Sequence, residues 1–261
     1  MAAHFIFKLQ SKQSTVEFDR TLFMQFLDWT FDSTEENLAL EEALLEACDA
    51  GGPEVLRVWT PRERSVVVGY AQSVEKEVLA ENCDSDNVPI LRRITGGGTV
   101  LHGTGTLCYA LILRTAREEI ASVSAANSWI MQQQANAVGH AVNRQVEVQG
   151  YTDLALQGRK FSGNAQRRKA KAILFHGTFL LDFDLNQLDR YLRFPSRQPE
   201  YRAHRNHADF LTSLRVDSRT LIASLRIIWN ASDEFTEQIP QSRVAELVRE
   251  RYSQREWNRR L

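Results

Sequence analysis

The segment from Arg92 to Gly105, RRITGGGTVLHGTG, holds five glycines within ten positions. Backbone this bare can approach a ligand closely and turn its N–H groups toward an anion. Arg92, Arg93 and His102 flank Gly96, Gly97 and Gly98, adding positive charge and a titratable ring. The run is neither a Walker loop nor GxGxxG, because no Gly-Lys-Ser/Thr follows and the glycines are consecutive. Three glycines in a row carry a large entropy cost for a mere turn, so a binding role is the stronger reading. A second cluster is GRKFSGNAQRR, residues 158–168. Lys160 alone reads as an ordinary hairpin lysine, but the small side chains of Ser162-Gly163-Asn164-Ala165 suit close approach of a ligand. The third cluster is Phe175-His176-Gly177-Thr178, where a lone histidine in an apolar strand is more often a core residue than a catalytic one.

Secondary structure must hold these clusters in place. Each follows or occupies a strand signal: Pro89 to Ile94 leads into the glycines, a hairpin over 153–163 turns at Gln157-Gly158, and Ile173 to Asp182 carries His176. Strand alternation predicts Lys160 and Ser162 on one face and Phe161 on the other. Residues 106–113, TLCYALIL, read as a strand covered on both faces. Further strands are expected at 4–9, at Val55 to Trp59 and at Ser65 to Gly69. Ser33 and Glu36 have capping-box spacing, and Leu40, Ala43, Leu44, Ala47 and Cys48 form a helical stripe that stops before Gly51-Gly52-Pro53. Helices are also predicted over about 125–143, 217–229 and 243–252.

The 32 basic and 33 acidic residues nearly cancel, so no global field exists to hold nucleic acid. Cys48, Cys83 and Cys108 are odd in number and lack ligand spacing, which argues against a zinc site and a disulfide framework and for a reducing, cytoplasmic setting. No metal ligand set is read. Neither a signal peptide nor a window of 18 apolar residues is present, so no membrane association is expected.

RRITGGGTVLH, TDLALQGRKFSGNAQRR and ILFHGTFLL, in this order, resemble the lipoate-protein ligase A family within the biotin and lipoate ligase superfamily. NLALEEALLEA and VLRVWTPRERSVVVGYAQ resemble its first helix and the strand pair after it, so the likeness runs over roughly residues 35–185. The resemblance implies an α/β (α+β) fold, a mixed β-sheet with flanking helices similar to the catalytic core of biotin ligases and class II aminoacyl-tRNA synthetases. It implies activation of lipoate by ATP with Mg²⁺ to lipoyl-adenylate, then transfer to a lysine of an apo lipoyl-carrier protein. Lys160 is then the expected catalytic residue, reaching the acyl carbonyl and phosphate oxygens. Gly96, Gly97 and Gly98 line the cleft, and Arg92 and Arg93 bring charge to the phosphates, although a structural strand role stays open for one of them. Asp153, Gly163, Asn164, Ala165, His102, His176 and Thr178 complete the implied site, and Val100 and Tyr70 are expected along the acyl tunnel.

Two departures shape the alternatives. Octanoyl and lipoyl transferases of the superfamily form a thioester on a cysteine near or beyond the TDLALQGRK hairpin, and this chain has none after Cys108. Cys108 itself lies in a buried strand, where a thiol is inert. HGTGT nevertheless resembles the octanoyltransferase pattern HGPGQ, so ATP-independent acyl transfer is the alternative activity, and a non-catalytic carrier-binding module the second. The motifs end near 185, and the remaining residues read as completing one catalytic domain over 1–261, a monomer without the accessory domain of roughly 80 residues that ligases often add. A separate accessory polypeptide is therefore an expected partner beside the carrier. Arg167, Arg168, Lys169 and Lys171 read as a solvated loop, or as a docking rim for an acidic carrier domain.

Overall fold

Ser33 opens the first helix as its spacing predicts. In the computed structural model, which describes residues 24–195 and 197–261, the Ser33 hydroxyl accepts the Glu36 N–H at 3.2 Å and donates to the Glu36 carboxylate at 2.8 Å. This helix, α1, spans Thr34–Asp49. The chain turns away just beyond it at Gly51, whose φ of +108° a side chain would strain. The strand expected at 4–9 lies outside the described residues.

Strands β1 (Gln25–Asp28), β2 (Val55–Trp59), β3 (Ser65–Val68), β4 (Ile90–Arg92), β5 (Val100–His102), β6 (Thr106–Arg114), β7 (Glu147–Gln149), β8 (Asp153–Leu156), β9 (Arg159–Arg168), β10 (Ala172–Leu180) and β11 (Asp233–Glu234) form two sheets. The large mixed sheet has the order β11-β1-β2-β6-β10-β9-β8-β7, and the small one β4-β3-β5. The apolar run at 106–113 is the central strand β6, buried on both faces. Leu107, Tyr109, Leu111 and Leu113 enter one core beneath the helices α2 (Val123–Val142) and α3 (Ser218–Ile228). Ala110 and Ile112 enter the other, against α1 and α4 (Gln241–Leu247). Each fully buried leucine here contributes roughly 1.5–3 kcal/mol.

The hairpin turns where expected: Gln157 and Gly158 both have positive φ, 52° and 70°, as a tight two-residue connection requires. The predicted facing of its second strand is wrong. Lys160 pairs with Ala155 but Ser162 pairs with Leu154, so one extra residue, Phe161, bulges from β9. Because Ala155 and Leu154 point to opposite faces, the bulge separates Lys160 from Ser162. It aligns Lys160 instead with Gly163 and Asp153, which are paired to each other.

Candidate active site

Register alone lays out the floor of a cleft of about 630 Å³. Trp59, Cys108, Thr178, Gly163 and Asp153 are successive partners across β2, β6, β10, β9 and β8, so they share one face of the large sheet. Val67, Leu101 and His102 of the small sheet, Glu41 of α1 and the glycine loop line the same cleft. Tyr201, Arg202 and their neighbours arrive from an irregular stretch after β10, and Arg202, His207 and Phe210 border the same space.

Lys160 Nζ sits 2.8 Å from Asp153 Oδ1, both side chains mostly buried. Tyr201 donates its hydroxyl to the other Asp153 oxygen at 2.8 Å. Burial, together with the Asp153 charge and hydrogen bond, holds the Tyr201 hydroxyl far above its ordinary pKa, so it stays a donor. The ammonium crosses directly over Gly163, where an added Cβ would lie 2.9 Å from Nζ. A lysine pinned by one carboxylate at the edge of a cleft is a held positive charge, suited to stabilising negative oxygens as they develop.

A second network runs beneath the glycine loop. Glu41 Oε2 is 2.5 Å from His176 Nδ1, His176 Nε2 is 2.7 Å from Thr95 Oγ1, and Trp59 donates its indole N–H to Glu41 Oε1 at 2.9 Å. Burial pushes the Glu41 carboxyl up, but His176, Arg57 and Trp59 outweigh it and hold the group below the usual carboxylate value. Arg93 continues the chain: it donates to Thr95 Oγ1 at 2.9 Å and to the carbonyls of Gly96 and Gly98 at 2.6 and 2.7 Å. Gly97 takes φ +84°, and its carbonyl lies where a Cβ on Gly69 would stand, at 2.1 Å. Arg93 thus borders the cleft as the clasp of the glycine loop, its guanidinium spent on backbone oxygens rather than held free for phosphate.

Arg92 is a clear departure from expectation. Its guanidinium donates to the carbonyls of Gly69, Gln72, Trp257, Asn258 and Arg260, away from the cleft. Asn164 borders the cleft, but its amide is taken: it accepts from the Tyr109 hydroxyl and donates to the Thr152 carbonyl, both at 2.7 Å. Gly177, its register partner, has no room for a Cβ, which would fall 1.7 Å from Asn164 Oδ1. Tyr70 lies outside the cleft, against Trp257 and Arg260, while Val100 lines it. Gly96, Gly97, Gly98, His102, Asp153, Lys160, Gly163, Ala165, His176 and Thr178 are brought together as expected.

His102 is neutral here, its pKa lowered to about 3 by burial, with Glu41 opposing and Arg93 adding to the effect. Its Nε2 lies 3.3 Å from Thr178 Oγ1 and 3.7 Å from Cys108 Sγ. Burial drives the Cys108 thiol far above its ordinary pKa, so it is no thiolate nucleophile. Sequence reasoning missed Glu41, Tyr201 and Arg202. Glu41 left a signal, a carboxylate between Leu38 and Leu45 on the buried side of α1; the other two lie in a stretch without periodicity. Among the described residues no three His, Cys, Asp or Glu side chains gather as a ready-made metal cage, and no helix is long and apolar enough to cross a membrane.

Known proteins resemble this chain in sequence and fold. Over 157 residues the chain is 34% identical to a Mycoplasma pneumoniae protein named "Probable lipoate-protein ligase A", a match covering 60% of this chain and 45% of the relative, so it spans about half of that relative's length. It is 28% identical over 261 residues to the octanoyltransferase LipM of Carboxydothermus hydrogenoformans, covering 89% of this chain and 97% of the relative. Its fold superposes with a TM-score of 0.75 on a bi-partite lipoate protein ligase of Thermoplasma acidophilum, at 23% identity and covering 91% and 96% of the two chains. With residues 33–221 matching the lipoyl protein ligase A/B catalytic domain, the chain belongs to that family.

Proposed function

We propose that this chain is a lipoate-protein ligase that activates lipoate with ATP and transfers the lipoyl group to a lysine of an apo lipoyl-carrier domain. The observation that carries this reading is Lys160, fixed by Asp153 over Gly163 at one end of a largely apolar floor. In the first step a lipoate carboxylate oxygen attacks the α-phosphorus of ATP, the bond to the bridging oxygen breaks and pyrophosphate leaves. In the second, the carrier amine attacks the acyl carbon, the bond to the phosphate oxygen breaks, AMP leaves, and the nitrogen sheds a proton to give the amide. Lys160 faces the oxygens that gain charge in both steps, and Asp153 and Tyr201 keep its ammonium from swinging away. A magnesium ion carried by the triphosphate would lower the charge on the attacked phosphate. Both Asp153 oxygens are taken by Lys160 and Tyr201, so the ion would ride on the substrate phosphates and water rather than on that carboxylate.

The high, buried Cys108 thiol speaks against a thioester route. The second reading, ATP-independent octanoyl transfer, draws support from the octanoyltransferase that matches nearly the whole chain. Incubating the pure protein with ATP, Mg²⁺, lipoate and an apo carrier domain, with and without a separate accessory polypeptide, separates the two by the carrier's mass. A lipoyl gain that requires ATP supports the ligase. Gain without ATP, from an acylated carrier as donor, supports the transferase. Lys160→Ala is expected to abolish modification while leaving the melting temperature within a few degrees; normal turnover by that variant would remove Lys160 from the mechanism.

A further inference from the structure

Arg202 is a buried cation without an ion-pair partner among the described residues. The residue is 5% exposed, and its Nη2 has no hydrogen-bond acceptor among them. Its guanidinium carbon rests 4.9 Å from the Phe194 ring and 4.8 Å from the Phe210 ring, and its Nε donates to the Arg205 carbonyl at 2.9 Å. These contacts fix the plane of the group while leaving a charged donor unsatisfied, which is costly inside a protein. Nearby carboxylates are already engaged: Asp189 lies 2.7 Å from His207 Nδ1, and Asp153 is shared by Lys160 and Tyr201. Arg202 borders the cleft, one residue along the chain from the tyrosine that holds Asp153.

A held, unpaired guanidinium edge at a cleft is a receptor for an anionic oxygen group, for which its planar fork is well matched. Two such groups enter an adenylating site, the acyl carboxylate and the phosphoryl groups of the nucleotide. Lys160 already stands where the carboxylate reacts. We infer that Arg202 binds phosphoryl oxygens of the nucleoside triphosphate in this cleft. The inference rests on the ATP-dependent reading above and adds to it the residue that recognises the phosphates, a task the family resemblance implied for Arg92 and Arg93, whose guanidiniums are engaged by backbone carbonyls.

Calorimetric titration of the full chain with ATP and Mg²⁺, with pyrophosphate and with lipoate, each alone, tests it on wild type, Arg202→Met and Arg202→Lys. Arg202→Met is expected to weaken ATP and pyrophosphate by about tenfold to a hundredfold and leave lipoate unchanged, with Arg202→Lys in between. Equal ATP affinity in wild type and Arg202→Met overturns the inference and leaves the ligase reading standing. Loss confined to lipoate also overturns it, by making the carboxylate the ligand. A wild type that binds lipoate but not ATP overturns the ligase reading, and the inference falls with it. Should Arg202→Met fail to fold, the Arg202 side-chain Nε–H resonance of the wild type, assigned by its loss in Arg202→Lys, decides instead. A shift on adding pyrophosphate supports the assignment, and a resonance that does not move rejects it.

Discussion

His102 shows how far a residue's chemistry depends on neighbours remote in sequence. Its pKa near 3, set by burial with Glu41 opposing and Arg93 assisting, is far below the 6.5 of an exposed imidazole. Below pH 6.5 the unfolded chain therefore takes up a proton that the folded one refuses until about pH 3. Its share of stability is complete above pH 6.5 and declines as the pH falls, at up to about 1.4 kcal/mol per pH unit. Glu41, held below the ordinary carboxylate value, adds its own loss at lower pH, so the range from 7.5 to 5 isolates the histidine. Urea midpoints over that range should drop for the wild type and change less for His102→Asn; equal slopes would mean that His102 does not carry the effect. The sequence singled out His102 through its place after the glycine run. Its neutrality was not legible, because the burial that causes it, and the Arg93 charge that adds to it against Glu41, arise only when α1 and the glycine loop pack against the sheet.

At the scale of elements, the glycines of β9 and β10 separate catalysis from folding. A Cβ on Gly163 would stand 2.9 Å from Lys160 Nζ and 3.0 Å from its Cε, the mobile end of a long side chain that can yield. Gly163→Ala is thus expected to fold normally and to lose at least about tenfold in lipoyl transfer, as the ammonium shifts off Asp153. A Cβ on Gly177 would meet Asn164 Oδ1 at 1.7 Å and the Tyr109 ring at 2.9 Å, neither of which has space to move. Gly177→Ala should therefore cost about 1–3 kcal/mol of stability in denaturant unfolding. If Gly177→Ala were as stable as wild type, or Gly163→Ala as active, the separation would be wrong. The motif GRKFSGNA was legible as a candidate, and it lines the cleft; its turn was legible as a hairpin, since Gln157-Gly158 carries the local signal. The bulge that aims Lys160 was not, because register is settled by pairing with β8 rather than by the alternation within β9.

At the scale of the whole molecule, the two arginines that adjoin the glycine run act in opposite directions, as adjacent residues of an extended chain do. Arg93 turns inward and clasps the glycine loop; Arg92 turns outward and gathers carbonyls from residues 69–72 and 257–260. The Arg92 backbone joins the same knot: its N–H donates to Asn258 Oδ1 at 3.0 Å and its carbonyl accepts the Trp257 indole N–H at 2.8 Å. Tyr252 ties the same region to α1 by donating to Glu42 at 2.8 Å. Nothing local distinguishes Arg92 from Arg93, which is why the family resemblance implied phosphates for both; half of the Arg92 knot is supplied by residues more than 160 positions away. Replacing Arg92 with methionine keeps much of the stem but leaves several buried carbonyls without donors, a loss on the order of 3 kcal/mol. Because the guanidinium reaches no cleft group, Arg92→Met should lower the urea midpoint and expose Arg259 and Arg260 to trypsin while ATP affinity at low temperature stays within about threefold of wild type. A variant of normal stability with sharply weaker ATP binding would return Arg92 to the nucleotide site.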